Sequence, residues 1–151
     1  MNNIKDLAIV RKKILNSIQN ADSGHLGPAY SCVEILYIIL KKYINFKKKN
    51  RNRLVLSKGH AAPAIYAIFE HLNLLKKNEL NTLRKFSSRL QGHPDKKKLK
   101  LLDFGTGALG QGLSVSIGYS ISSNLLNKKN FIFCLLGDGE LQEGQVWEAA
   151  M

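Results

Sequence analysis

The sequence predicts an α/β fold in which helices flank a largely parallel sheet. Segments with helical periodicity alternate with short apolar runs of strand length. The clearest of these runs, residues 131–136, leads directly into a Gly-Asp-Gly turn, and a glycine-rich segment at 105–110 opens a helix. With 151 residues, 44% apolar and 23% charged, the chain has the size and composition of a globular protein with one hydrophobic core.

The first part of the chain is predicted to be helical. Apolar residues at helical spacing predict a helix over residues 4–20. A loop rich in glycine and proline follows, after which Ser31 and Glu34 form a capping-box pattern. This pattern predicts a second helix that ends near Ile44. Because that helix is apolar on nearly every face, it is expected to be buried.

The remaining elements alternate between strands and helices. Strands are predicted at 53–56 and 131–136, helices at 64–74, 78–88 and 113–126, a strand or extended lead-in at 101–104, and a polar loop at 91–99. A last helix begins at Glu143, and the sequence stops within it at Met151 without a capping signal. This ending predicts that the chain is a fragment or a truncated product.

Charge and cysteine content bear on which partners the chain binds and on whether its cysteines are buried thiols. The net charge of +12 is compatible with acidic partners, including nucleic acid. The lysine runs at 47–49 and 96–98 carry no interleaved aromatics, which favours a solvated surface over a nucleic-acid patch; a steep salt dependence of binding would distinguish the two. Cys32 and Cys134 lie in apolar stretches and are predicted to be buried thiols. With no membrane-helix run and no secretory pattern, the predicted location is cytoplasmic.

Three of the four histidines, His25, His60 and His93, directly follow glycine. Glycine allows the backbone to approach a ligand closely, and histidine supplies a hydrogen-bond donor or acceptor near neutral pH. Their positions on separate loops predict imidazoles that converge on a polar ligand, although for any one of them alone a turn-stabilising role is the favoured interpretation. His71 lies inside a predicted helix and is interpreted as structural.

Two glycine-rich segments point to phosphate binding. GTGALG, residues 105–110, matches the dinucleotide pattern, but no acidic residue lies between Asp103 and Asp138 to hold a ribose, which disfavours a nicotinamide site. GDGELQEG, residues 137–144, directly follows the last predicted strand. A carboxylate between two glycines at the end of a strand can hold Mg²⁺ while backbone amides meet phosphate oxygens. An acidic turn that caps the next helix is an equally good interpretation.

Five segments of the chain carry a joint pattern: SGHLGPAYSCVEIL, LSKGHAAPAIYA, QGHPD, TGALGQGLS and LLGDGELQEGQVWEAAM, in that order. Together they resemble the N-terminal, diphosphate-binding region of transketolase, especially of the split-subunit type. The resemblance implies thiamine diphosphate with Mg²⁺ or another divalent cation as cofactors. It also implies transfer of a two-carbon ketol unit from a ketose phosphate to an aldose phosphate, as in the pentose phosphate pathway. The alternatives are an enzyme similar to deoxyxylulose-phosphate synthase and a non-catalytic remnant that only binds a partner chain.

The resemblance also implies residue roles. Asp138 is expected to be the metal ligand, His60 to approach the diphosphate and the reaction centre, and His25 and His93 to contact the sugar. The expected cofactor-binding residues are His60, Gly107, Ala108, Leu109, Gly137, Gly139 and Glu143. Ala108 stands where many long-chain transketolases have proline. Glu143 and Glu148 resemble carboxylates near the dimer contact.

The same resemblance implies that other parts of the enzyme are needed. In the family, an asparagine beyond the position of Met151 completes the metal shell, and the carboxylate that activates the aminopyrimidine ring belongs to the other half. The expected partners are therefore a C-terminal half with pyrimidine-binding and C-terminal domains, in a homodimer or heterotetramer. Residues 1–151 are then an incomplete N-terminal domain, which is expected to be inactive in isolation.

Overall fold

The structure is a computed structural model that describes residues 2–151, with Asn2 described by its backbone only. The chain forms two compact units. Unit 1 combines the N-terminal segment up to Tyr43 with His60–His93, and unit 2 combines Ile44–Gly59 with Pro94–Met151. Along residues 2–151, no helix combines the length and the apolarity that crossing a membrane requires.

Unit 1 is built from helices. They are α1 (Asn2–Ala21), α2 (Leu26–Tyr30), α3 (Val33–Ile38) and α4 (Ala62–His71). A π-helical turn, Ile39–Tyr43, extends α3, and 3₁₀ turns occupy Gly59–Ala61 and Glu79–Thr82. The core forms around α4, whose residues Ala62 to Glu70 are all buried, and α1 packs along it. The helices predicted over 4–20 and 64–74 are thus confirmed, with shifted ends.

The predicted capping box at Ser31 is wrong. Residues Leu26–Tyr30 already form α2, the Ser31 hydroxyl donates to the Pro28 carbonyl at 3.0 Å, and the N-cap position of α3 is Cys32. The helix begins after Cys32. Its expected full burial is also wrong, because Ile35 and Ile38 are exposed while the neighbouring positions pack into unit 1.

The helix predicted over 78–88 is reduced to the short turn Glu79–Thr82. Asn78, Arg84 and Ser87 have φ values of 65°, 60° and 63°, in the left-handed region. Such values interrupt a right-handed helix, so the segment forms a compact loop although its apolar residues have helical spacing. Leu80, Leu83 and Leu90 are the buried residues that anchor the loop.

Unit 2 contains the sheet. Strands β1 (Arg53–Leu56) and β2 (Ile132–Leu135) pair in parallel, with Arg53 opposite Ile132 and Leu56 opposite Leu135. Helix α5 (Gln111–Leu125) lies between them in sequence and packs against both, and α6 (Gly144–Ala150) packs against α5. The predicted parallel arrangement is confirmed for this pair. Residues 101–104 form no strand, and β2 is half-buried in the described residues instead of fully buried.

The two cysteines, both predicted to be buried, differ in how buried they are. Neither cysteine forms a disulfide; Cys32 is buried, and Cys134 on β2 is partly buried. Loss of surrounding water raises the pKa of the Cys134 thiol. A raised pKa keeps the thiol protonated and unreactive at neutral pH.

Asp103 joins the start of β1 to the segment that leads to α5. Its carboxylate accepts two hydrogen bonds from Arg51, at 2.8 and 2.9 Å, and one from Arg53 at 2.8 Å. The Leu54 amide donates to it at 3.0 Å, and the Tyr119 hydroxyl donates to the Asp103 carbonyl at 2.8 Å. We call this arrangement of Asp103, Arg51 and Arg53 the Asp103 clasp. It fixes the strand relative to the loop that precedes α5.

Gly112 is expected to be intolerant of substitution. A Cβ placed there would lie 2.5 Å from the Ser57 Cβ and 3.0 Å from the Ser57 Cα. Gly112→Ala is therefore expected to lower the free energy of unfolding by about 1–3 kcal/mol through overpacking. Gly118, on the same helix, has open space around it, so Gly118→Ala is expected to stabilise by about 0.5–1 kcal/mol. Urea unfolding of both variants checks the pair; equal effects would contradict the crowding at Ser57.

Candidate functional site

The three glycine-preceded histidines are brought together in unit 1. The His25 and His60 rings meet edge to face with centroids 5.6 Å apart. His93 lies close enough to His25 for a positive charge there to lower the His93 pKa. His25 is exposed at the N-terminus of α2, and His60 lies in the turn before α4. The predicted convergence of the imidazoles is present, whereas their catalytic roles stay a prediction.

His71 behaves as the sequence interpretation expects. It ends α4, and its Nε2 atom lies 3.4 Å from an Asp6 carboxylate oxygen. The same carboxylate accepts a hydrogen bond from the Tyr37 hydroxyl, and this bond together with the Lys41 ammonium lowers the Asp6 pKa. His71 thus belongs to a polar cluster that joins α1, α3 and α4.

Arg84 is a neighbour of His93 that sequence analysis missed. A Cβ at Gly92 would lie 2.7 Å from the Arg84 Cζ, so the guanidinium lies directly against the Gly92-His93 segment. The buried Arg84 Nε has no hydrogen-bond partner within residues 2–151. Partial removal of water lowers the His93 pKa, and the charges of Arg84 and His25 lower it further. His93 is therefore held as a neutral imidazole to lower pH than an ordinary histidine.

We expect Arg84→Gln to raise the His93 pKa toward the ordinary histidine value, since it removes the nearby charge. Arg84→Lys is the matched control, because it keeps the charge and should keep most of the lowering. NMR titration of the His93 ring measures both. An unchanged His93 pKa in Arg84→Gln would rule out the electrostatic contribution.

The same shift has a consequence for stability. The unfolded chain takes up a proton at the ordinary histidine pKa, whereas folded His93 takes it up only at lower pH. Stability is thus lost as the pH falls below the unfolded-state pKa toward the folded-state value. The Arg84→Gln variant should lose less in this window.

The Gly-Asp-Gly turn lies at the carboxyl end of β2 in unit 2. The Asp138 side chain is exposed and has no hydrogen bond or ion pair with residues 2–151. Gly139 is also exposed, with nothing within 4 Å of the position a Cβ would take. Within residues 2–151, no three His, Cys, Asp or Glu side chains group in a way that could hold a metal ion. The turn thus presents one free carboxylate in open space.

The glycine loop at 105–110 is fixed at both ends. The Thr106 hydroxyl donates to the Leu56 carbonyl at the end of β1, at 2.7 Å. At the other end, Gly110 has φ +82°, and a Cβ there would lie 2.9 Å from the Glu143 Cβ. Between these points, Gly107 and Ala108 are exposed. The Leu109 carbonyl accepts a 3.0 Å hydrogen bond from Gln145 of α6.

A buried carboxylate links the two glycine-rich segments, and sequence analysis did not single it out. Glu140 accepts hydrogen bonds from the Gly110 and Gly137 amides, both at 2.9 Å, and from the Ser57 hydroxyl at 2.5 Å. The sequence did contain a hint of this role, because GDGELQEG has more carboxylates than one cation site requires. Glu143 and Glu148 are exposed, before and within α6, and their expected roles stay predictions.

Comparison with known proteins identifies the family of the chain. Residues 4–151 match the family described as the transketolase, thiamine diphosphate binding domain. The chain belongs to this transketolase family. Its resemblance in sequence is therefore confirmed, and thiamine diphosphate is the ligand that names the family.

The relatives agree on family and fold. Transketolase from Homo sapiens is 40% identical over 97% of this chain, and the match covers 24% of that protein. The 6-deoxy-6-sulfo-D-fructose transketolase subunit SqwG from Clostridium is 36% identical over 95% of the chain and 54% of its own length. The crystal structure of Campylobacter jejuni transketolase superimposes with a TM-score of 0.86, at 32% identity, over 95% of this chain and 24% of that one. The chain thus spans about a quarter of full-length transketolases and about half of this subunit.

Proposed function

We propose that this chain is the N-terminal part of a transketolase that transfers a two-carbon ketol unit between sugar phosphates with thiamine diphosphate. The observation that carries the proposal is the free Asp138 carboxylate between two glycines at the end of β2. It stands beside a fixed glycine loop in a chain of the transketolase family. Residues 1–151 would then form the incomplete N-terminal diphosphate-binding domain.

The residues present fit the diphosphate end of the cofactor. Asp138 would bind a divalent cation, with Mg²⁺ the best candidate because it prefers few protein oxygens together with phosphate oxygens. The open Gly139 and the exposed Gly107 and Ala108 leave room for a ligand to approach the backbone. Leu109, Gly137 and Glu143 would complete the lining of this cofactor site.

The histidines would bind the sugar and exchange protons with it. Bound thiamine diphosphate supplies the nucleophilic carbon and the electron sink for cleavage of the carbon–carbon bond. His60 would approach the diphosphate and the reaction centre, and His25 and His93 would donate hydrogen bonds to, or accept protons from, sugar hydroxyls. The lowered pKa of His93 supports an acceptor role, because a neutral imidazole has a free ring nitrogen.

The partners follow from the family. The chain spans only part of its relatives, and one relative is itself a subunit. We therefore propose a C-terminal transketolase half as partner, within a homodimer or heterotetramer, working on sugar phosphates in the cytoplasm and in the pentose phosphate pathway.

The test is reconstitution of the complete enzyme, meaning this chain together with the C-terminal half. Calorimetry should show Mg²⁺-dependent binding of thiamine diphosphate, and a coupled assay should show ketol transfer from a ketose phosphate to an aldose phosphate. Activity on pyruvate with an aldehyde acceptor would favour the alternative similar to deoxyxylulose-phosphate synthase. A folded assembly that binds no cofactor would refute the proposal in favour of a non-catalytic chain.

A further inference from the structure

Glu140 is a buried carboxylate at the meeting point of three chain segments in unit 2. Its residue is 3% exposed. One oxygen accepts from the Ser57 hydroxyl and the Gly110 amide, and the other accepts from the Gly137 amide at 2.9 Å. The donors belong to the end of β1, the start of α5 and the turn after β2. A single side chain therefore ties the ends of both strands to the glycine loop.

Ser57 extends this arrangement by one more hydrogen bond. Its hydroxyl donates to Glu140 and accepts from the Gly112 amide at 3.2 Å. Ser57 is fully buried, and Gly112 packs directly against it. The amides of Gly110 and Gly112, at the N-terminus of α5, are thus both satisfied through the Glu140–Ser57 pair, which we call the Glu140 network.

The network requires an acceptor that has no hydrogen on either oxygen. A carboxylate meets this requirement, because both oxygens accept and neither donates. A glutamine of the same size would turn its NH₂ group toward the Gly137 amide or toward the Gly110 and Ser57 donors. That arrangement sets donor against donor and leaves a buried amide without a partner.

We propose that Glu140 is a positioning residue for cofactor binding. This inference rests on the proposed function. Glu140 holds the turn of Gly137 and Asp138 and the loop that ends at Gly110 in one arrangement before thiamine diphosphate binds. Glu140 itself is turned into the protein and its oxygens are occupied, so it acts through the backbone and not as a ligand. Because it orders the site in advance, it lowers the cost of binding.

The experiment compares Glu140→Gln with wild type in the complete enzyme, using thiamine diphosphate with Mg²⁺ as the probe in calorimetry. We expect the affinity to fall roughly tenfold to a hundredfold, as for a buried hydrogen bond left unmade. At saturating cofactor, kcat should return close to the wild-type value, because Glu140 does not touch the reacting atoms. A stability defect alone would not produce this split between cofactor affinity and kcat.

Glu70→Gln is the matched control. Glu70 is likewise a buried carboxylate, 8% exposed, which accepts from the Leu80 amide at 3.3 Å and pairs with Lys13 in unit 1. Its replacement should cost stability but leave cofactor affinity unchanged. Ser57→Ala is a milder second variant, which removes one donor and keeps the carboxylate, and it should weaken cofactor binding severalfold.

The outcomes separate the two proposals. Wild-type affinity in Glu140→Gln, or a loss no larger than in Glu70→Gln, would overturn the positioning role while the proposed function stands. If Glu140→Gln does not fold, wild-type affinity in Ser57→Ala would overturn it. Failure of the wild-type enzyme to bind thiamine diphosphate would overturn both proposals.

Discussion

Replacing Asp138 with alanine is expected to abolish ketol transfer by the complete enzyme, with kcat/KM reduced at least about a thousandfold. The carboxylate is exposed at the end of β2 and has no partner among residues 2–151. Under the proposed function, the divalent cation would then lose its protein ligand in this turn, and the diphosphate would lose the charge that neutralises it. Steady-state kinetics over a range of Mg²⁺ concentrations measures the effect.

The same replacement should leave stability almost unchanged. A surface side chain without partners contributes within about 0.5 kcal/mol to the free energy of unfolding. Urea unfolding of the cofactor-free protein therefore serves as the internal control. Near-wild-type activity of Asp138→Ala would show that the cation is held elsewhere and would remove Asp138 from the site.

Replacing Asp103 with alanine is expected to cost about 3–5 kcal/mol of unfolding free energy. Asp103 is 4% exposed and joins Arg51, Arg53 and the Leu54 amide in the Asp103 clasp. Its removal leaves the charge of Arg51, whose side chain is 9% exposed, without its carboxylate, which costs far more than the loss of an exposed pair. Equilibrium unfolding in urea measures the change.

The matched control is Glu34→Ala, which breaks the pair of Glu34 with Arg11 in unit 1. Both of these side chains are substantially exposed, so the cost should be below about 1 kcal/mol. The hydrogen bond from Arg11 lowers the pKa of Glu34, so the carboxyl group stays ionised beside the guanidinium at neutral pH. If Asp103→Ala cost no more than Glu34→Ala, the clasp would contribute nothing beyond a surface contact.

The sequence was most informative where local chemistry governs the structure. The helical periodicity of residues 4–20 and the apolar runs at 53–56 and 131–136 identified α1, β1 and β2. Glycine before histidine also located side chains that the fold gathers in unit 1. In each case the residues carry the signal themselves, without a distant partner.

Prediction failed where a distant or irregular contact decides the outcome. Residues 78–88 have helical spacing, yet left-handed residues such as Arg84 divert them into a loop. Glu140 looked like one more acid in an acidic turn, and its role appears only when Ser57 and Gly110 are brought to it by the fold. Burial against residues far away in sequence is not encoded in any local pattern.

The parallel pairing of β1 with β2 also sets an order of events during synthesis. Arg53 can pair only after Ile132 has been synthesised, so formation of the sheet closes a loop of about 80 residues. Unit 1, in contrast, is complete once His93 has been synthesised, and its main packing partners, α1 and α4, both lie before that residue. Unit 1 can therefore assemble while unit 2 is still being made. On a translating ribosome, the histidines would gather before the turn that carries Asp138 has been synthesised.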